Sequence, residues 1–200
     1  MIPESTFIRN LELAESVRSI PGIVVECGVW RGGMIAGIAQ LLGPEREYVL
    51  CDSFEGLPPA QLIDGHAALA WQQDTTSEVN CDNCSSPEGN AREAMALSGA
   101  KKTQFVAGWF SDTLPKLDLC EPIALLRLDG DWYDSTMTCL TSLFGHVAQG
   151  GIVIIDDYHT WDGCSRAVHD FLAHHGSSLR IRQWSNDVCY IRIPKNDSGS

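Results

Sequence analysis

Five aspartates fall in two short runs, each directly behind an apolar stretch: Asp129, Asp131 and Asp134 after IALLRL, and Asp156 with Asp157 after GIVII. Like charges repel, so carboxylates gathered at strand ends call for a counter-charge. If the two apolar runs are neighbouring strands, Asp129 projects toward Asp156 and Asp157. Three oxygen donors with few Lys or Arg nearby suit a hard divalent cation such as magnesium. Asp131 and Asp134 read instead as helix-start acids that cap free amides and complement the helix dipole.

A second constellation lies upstream in VVECGVWRGG. Gly28, Gly32 and Gly33 make a strand-to-helix turn in which backbone amides can approach a ligand closely. The spacing is GxxxGG rather than the dinucleotide fingerprint GxGxxG, and an acid, Glu26, stands two residues ahead of the first glycine. Asp52 follows Gly28 by 24 residues, at the end of the next strand-like run. A carboxylate there can accept both hydroxyls of a ribose, so the pair of features points to an adenosine-containing cofactor.

These residues need elements to carry them. Apolar periodicity at Phe7, Ile8, Leu11, Ala14 and Val17 predicts a helix over 5–19, stopped by Pro21-Gly22. IVVEC, EYVLCD, TQFVAG, IALLRLD and GIVIID read as five buried strands, with helices over MIAGIAQLL and near 86–98, 110–116, 134–147 and 162–175. LRIRQW and VCYIRI, linked through Ser185-Asn186-Asp187, close the chain as an antiparallel hairpin. The fold expected is α/β, doubly wound and Rossmann-like, with a mostly parallel seven-stranded sheet. Its parts are an N-terminal helix over 1–20, one domain over 21–194 and a disordered tail over 195–200. Residues 53–84 show no periodicity and read as a long lid loop, in which Trp71 could stack on a sugar or anchor the loop.

Acidic residues outnumber basic ones 26 to 14, giving a net charge of −12, which argues against nucleic acid as a partner. No stretch resembles a signal peptide or a membrane span, so a soluble cytoplasmic protein is expected, with a homodimer or higher homo-oligomer as the usual state of such a protein. Of the eight cysteines, Cys27, Cys51 and Cys189 sit in strand-like runs as small hydrophobes. Cys81 and Cys84 form a lone CxxC, with no second pair at zinc spacing, and read as loop cysteines. His66 and His169 have no motif around them.

The ordered pieces VVECGVWRGG, DSFEGLP, GWFSDTLP, LLRLDGDWYDST, GGIVIIDDY and CSRAVHDF resemble the TylF-type macrocin O-methyltransferase family, from about Pro21 to Ile193. The resemblance implies a class I methyltransferase fold, S-adenosylmethionine as donor, a magnesium ion, and a sugar hydroxyl in antibiotic biosynthesis as acceptor. It implies Asp129, Asp156 and Asp157 as metal-binding acids and Asp129 as general base. Glu26, Gly28, Val29, Trp30, Arg31, Asp52, Ser53, Gly108, Trp109 and Asp129 match cofactor-facing segments. About twenty residues precede the first strand, fewer than in antibiotic-tailoring members, and this leaves the acceptor open.

Methyl transfer to an alcohol requires alignment of oxygen, methyl and sulfur and removal of a weakly acidic proton. A divalent cation would lower the hydroxyl's pKa, and a vicinal diol of a small-molecule or glycosylated acceptor would suit it. His159, two residues beyond Asp157, rivals Asp129 as the base. A catechol-type enzyme would use the same acids on a phenolic diol. Among other classes, a metal-dependent glycosyltransferase matches Asp129-Gly130-Asp131 but leaves the glycine turn and Asp156-Asp157 unused. A dehalogenase-type phosphatase would need its first aspartate near the chain start, and a non-catalytic sensor would bind adenosylmethionine without turnover.

Overall fold

The structure is a computed structural model that describes residues 2–77, 80–175 and 178–195. A seven-stranded sheet runs β3-β2-β1-β4-β5-β7-β6, with β1 (Ile23–Cys27), β2 (Glu47–Asp52), β3 (Lys102–Ala107), β4 (Ile123–Leu128), β5 (Val147–Ile155), β6 (Ile181–Gln183) and β7 (Cys189–Arg192). Strands β1 to β5 pair in parallel, whereas β7 lies antiparallel between β5 and β6. Chain order reverses between β1 and β4, which makes their carboxyl ends the switch point where such sheets bind ligands.

Each strand buries alternate side chains into opposite layers. Val24, Leu50, Leu125 and Ile154 pack toward α1 (Glu4–Glu15), α2 (Gly33–Leu42) and α4 (Glu88–Ser98). Val25, Val49, Leu126 and Val153 pack toward α6 (Tyr133–Leu143) and α7 (Asp162–His174), with α5 (Phe110–Thr113) at the near edge. Two covered faces explain why the central strands read as unbroken apolar runs.

Three details differ from the sequence expectation. The segment 53–84 is not structureless: it carries a 3-10 turn, Leu62–Asp64, and a helix, α3 (Gly65–Gln73). Only Ala68 of α3 is buried, so no apolar stripe announces it. Helix α1 is shorter than predicted and buries Thr6, Asn10, Leu13 and Ala14, while Ile8 remains 45% exposed. Strand β5 begins at Val147, ahead of the GIVII run. The expected tail lies outside the described residues apart from Lys195. Cys27, Cys51, Cys139, Cys164 and Cys189 are buried free thiols. Among the described residues no helix is long and apolar enough to cross a membrane.

Candidate active site

Asp129 and Asp156 leave the ends of β4 and β5 side by side, because the Asp129 amide donates to the Cys27 carbonyl (2.8 Å) and the Asp156 amide to that of Leu128 (2.9 Å). These bonds continue the sheet ladder one residue past the strands. Beneath them lies Arg127, 1% exposed. Its Nη1 donates to Glu26 Oε1 (2.9 Å) and Asp129 Oδ2 (2.7 Å), and its Nη2 pairs with Asp156 Oδ1 at 2.7 Å. That last contact is an ion pair without hydrogen-bond alignment. The Arg127 Nε donates to Asn10 Oδ1 of α1 at 3.3 Å. The few cations expected near the acids include one in direct contact with them: the buried guanidinium of Arg127, drawn from within an apolar strand.

The surroundings raise all of these groups, the acids through burial and Arg127 through the acids around it. Burial pushes the Glu26 carboxyl up to about 8, although Arg127 pulls it down and Asp129 adds to the rise. Burial likewise raises Asp156 to about 6 against the pull of Arg127. Burial works against the Arg127 charge, yet Asp129, Asp156 and Glu26 together hold its pKa above the usual guanidinium range. Asp157 is raised by burial and then by the charge of Asp131. One cation facing Glu26, Asp129 and Asp156 leaves a surplus of negative charge on the cavity side.

Asp129, Asp156 and Asp157 each offer a carboxylate oxygen within 4.8 Å of the others. Arg127 engages Asp129 Oδ2 and Asp156 Oδ1, and the Asp131 amide donates to Asp157 Oδ2 (3.1 Å). The second oxygen of each carboxylate remains for another ligand. An all-carboxylate donor set with residual negative charge fits a hard divalent cation.

The glycine-rich turn sits beside this cluster. Gly28 has φ +87°, and a Cβ there would lie 1.7 Å from the Asp129 carbonyl oxygen, so only glycine lets the β1 turn pass the end of β4. Asp52 then organises the turn: its Oδ2 accepts from the amides of Val29 (2.6 Å) and Trp30 (2.7 Å), and its Oδ1 from that of Phe54 (2.7 Å). Trp30 is held in the left-handed region (φ 47°). Across the cleft, the Gly108 amide donates to the Asp52 carbonyl (2.9 Å), which brings Trp109 to the rim.

The lid closes the opposite side. Asp64, 2% exposed, accepts from the amide of Tyr133 at the start of α6 (2.7 Å) and from that of Gln61 (2.7 Å). A Cβ on Gly163 would lie 2.2 Å from Asp64 Oδ1, so α7 also presses on this clamp. Trp71 of the lid meets Trp132 and Trp161 edge-to-face, with ring centroids 6.2 and 5.9 Å away, and those two lie 5.3 Å from each other. Trp132 Nε1 donates to the Pro58 carbonyl (2.9 Å) and Trp161 Nε1 to Asp131 Oδ1 (2.9 Å). Asp131 is thus not a helix cap. It takes a left-handed φ of 59°, and desolvation, followed by the charge of Asp129, raises it to about 8.

One cavity of about 700 Å³ joins these parts. Of the residues expected from sequence, Gly28, Trp30, Asp52, Ser53, Trp109, Asp129, Asp156 and Asp157 line it. Glu26 lies behind the wall against Arg127, the amide of Val29 is held by Asp52, Arg31 stacks outside on Trp30 at 4.5 Å, and Gly108 supports the rim. The structure does not bring His159 to this cavity. It is exposed, stands edge-on to Tyr158 at 5.0 Å, and faces a separate groove with His169.

Sequence reasoning missed Arg127, Asp64, Trp132, Trp161 and the N-terminal contribution from Ile2, Pro3 and, in α1, Thr6. A charged residue inside a fully apolar strand was the available signal for Arg127. None of the others carries a local signature.

The family model of macrocin-O-methyltransferases (TylF) matches residues 8–192. A tetracenomycin rhamnosyl 4'-O-methyltransferase of Streptomyces olivaceus is 37% identical over 172 residues, covering 82% of this chain and 63% of that protein. Demethyldecarbamoylnovobiocin O-methyltransferase of Streptomyces niveus is 36% identical, covering 78% and 60%. The chain thus spans about three-fifths of the length of these two relatives. The solved structure of the O-methyltransferase NovP superposes with a TM-score of 0.77 at 29% identity, over 95% of this chain and 80% of that one. That of the calicheamicin methyltransferase CalS11, at 22% identity and a TM-score of 0.72, supports the fold. A sheet with this strand order, a glycine turn closed by Asp52 and an aspartate trio at the switch point, matched over nearly the whole chain, place the protein in the TylF family of macrocin O-methyltransferases.

Proposed function

We propose that the protein transfers the methyl group of S-adenosylmethionine to a hydroxyl of a sugar carried by a small molecule or natural product, with a divalent cation, magnesium in the first instance, held by Asp129, Asp156 and Asp157. The observation that carries this reading is the meeting of a nucleoside cradle and an aspartate trio in one cavity, with Asp129 common to both. Family membership and the rhamnosyl group in the name of the Streptomyces olivaceus relative support it.

Asp52 keeps one lone pair, on Oδ1, beyond its three amide contacts to accept a ribose hydroxyl. Trp109 and Ser53 border the same end of the cavity, and Gly28 lets the donor's sulfonium end approach Asp129. The cation, when bound, would polarise the acceptor oxygen as a Lewis acid. Asp129 takes the acceptor proton as the O–CH₃ bond forms, the C–S bond breaks and S-adenosylhomocysteine departs. Asp64 holds the lid against α6 and α7, which keeps water from the reacting atoms. A vicinal diol, with two adjacent oxygens toward the acids, is the acceptor edge in this reading. Cytoplasmic residence and a homodimer through the α1 face, where Ile8 and Trp184 are exposed, belong to the same proposal.

Calorimetric titration of S-adenosylhomocysteine with and without magnesium, followed by an acceptor panel of glycosides and catechols, tests it. Binding and methylation of a glycoside support the reading. Absence of nucleoside binding would sink it, and methylation of catechols alone would move the enzyme to the phenolic class. Light scattering reports the oligomeric state.

A further inference from the structure

Asn10 belongs to α1 rather than to the sheet and carries no charge, yet it touches the guanidinium under the acids. It is buried, at 0% exposure. Its Nδ2 donates to the Thr6 carbonyl (2.9 Å), which turns Oδ1 toward Arg127 Nε (3.3 Å). Helix α1 is anchored beyond this point, where Trp184 Nε1 donates to Glu12 Oε2 (3.0 Å) and Arg192 Nη2 to Ser16 Oγ (2.8 Å). Asn10 is therefore a fixed acceptor on one edge of Arg127.

A guanidinium holds five N–H groups in one plane. The hydrogen on Nε goes to Asn10, and the two on Nη1 go to Glu26 and Asp129. Acceptors on α1, on β1 and at the end of β4 thus fix the plane. The hydrogens on Nη2 must point where that plane sends them, and they miss Asp156: Nη2 and Asp156 Oδ1 lie 2.7 Å apart, yet neither has an aligned partner. At that separation a guanidinium free to tilt would close a charge-assisted hydrogen bond. Asp156 receives charge from Arg127 without a directional bond. Its side chain, 8% exposed, is left to converge with Asp129 and Asp157.

We propose that Asn10 is a positioning residue for the cation site: by holding Arg127 Nε it keeps the guanidinium from aligning on Asp156, and so leaves Asp156 to the divalent cation. This rests on the divalent-cation reading above. Without the Asn10 oxygen, Arg127 tilts, closes the missing bond and competes with the cation for the Asp156 carboxylate. Asn10 does not line the cavity, so its influence reaches the cation through Arg127.

The test titrates manganese chloride into the whole chain, with free manganese measured by its electron paramagnetic resonance signal, and S-adenosylhomocysteine separately by calorimetry. Asn10→Ala should weaken manganese binding about tenfold, the scale on which partners of metal ligands act. Its S-adenosylhomocysteine affinity should stay within about twofold. Asn10→Asp, which keeps an acceptor oxygen toward Nε, should return manganese affinity to within about threefold of the unaltered protein or tighten it. Should the space left by alanine unfold α1, seen as a lost melting transition, Asn10→Leu fills that space and is read in its place. A role in packing alone would lower the melting temperature and leave manganese affinity unchanged. Unchanged or tighter manganese binding in Asn10→Ala or Asn10→Leu would overturn the proposal, as would Asn10→Asp binding as weakly as Asn10→Ala. Absence of manganese binding in the unaltered protein is a different result, which sinks the cation reading itself and the proposal with it.

Discussion

Glu26 and Arg127 are cross-strand partners in the β1–β4 register, each 1% exposed, with Arg127 Nη1 2.9 Å from Glu26 Oε1. The pair lies at the switch point of the sheet. Through Arg127 it connects the strand that bears the glycine turn to the two strands that bear the acids.

Removing one member of a buried pair strands the other. Arg127→Met should therefore destabilise the protein by about 3–5 kcal/mol, read as a fall in thermal midpoint in chelator. Arg127→Met combined with Glu26→Gln should recover part of that loss, since the uncompensated carboxylate beneath the site is gone. Equal midpoints for the single and double variants would show that Glu26 is not the dominant partner. Arg127→Lys should fail to restore stability, because an ammonium cannot span Glu26, Asp129 and Asp156 as the guanidinium does.

The raised acids give stability a definite pH slope. Glu26 is pushed up to about 8 from an ordinary 4.5, Asp131 to about 8 and Asp156 to about 6, each from 3.8. Between about pH 5 and 8 the unfolded chain has released protons that the native state still holds, so native stability falls as pH rises. In chelator, the melting temperature should drop by at least about 3 °C over that range, and Glu26→Gln should flatten the drop. A midpoint that rises with pH contradicts these assignments.

Divalent cation binding separates the trio from the donor site. Asp156→Asn should weaken magnesium or manganese binding by at least about tenfold, a change of about 1.4 kcal/mol, while S-adenosylhomocysteine affinity stays within about threefold. Calorimetry with each ligand alone measures both. Unchanged cation affinity would remove Asp156 from the ligand set.

Asp52→Ala combines two losses. Three amides, of Val29, Trp30 and Phe54, lose their acceptor, and in the proposed function the nucleoside loses its ribose anchor. S-adenosylhomocysteine binding should fall below detection, with a melting temperature several degrees lower, about 1–3 kcal/mol for stranded donors. Asp52→Asn, which keeps the acceptor oxygen but not the charge, should retain more of the fold than of the binding.

The two candidate bases can be told apart by turnover. Asp129→Asn should lower kcat by at least about a hundredfold, the usual scale of general-base loss, whereas His159→Asn should leave kcat within about twofold, because His159 faces a different groove. A collapse in His159→Asn would require the loop after Asp157 to turn inward.

Much of the sheet was legible because burial on both faces leaves an unmistakable record: IVVEC, YVLC, IALL and IVII admit few other readings. The aspartate trio was legible for a related reason, since the end of an apolar strand fixes where the next residue points. Helix α3 was not, because a helix lying on a lid buries one residue, Ala68, and needs no apolar stripe. Ile8, one of the apolar positions that marked the helix, stays exposed, while α1 buries the polar Thr6 and Asn10.

By itself the sequence determined the doubly wound order of elements, the glycine turn, the acid at the end of β2 and the convergence of Asp129 with Asp156 and Asp157. Each of these follows from local pattern and from the rule that parallel strands end together. Only the tertiary structure decided that Arg127 neutralises part of the trio, that Asp64 clamps the lid 69 residues away, that His159 turns outward and that three tryptophans from separate elements form one wall. Such relationships depend on which residues the packed layers bring within a few ångströms, and spacing along the chain does not encode that distance.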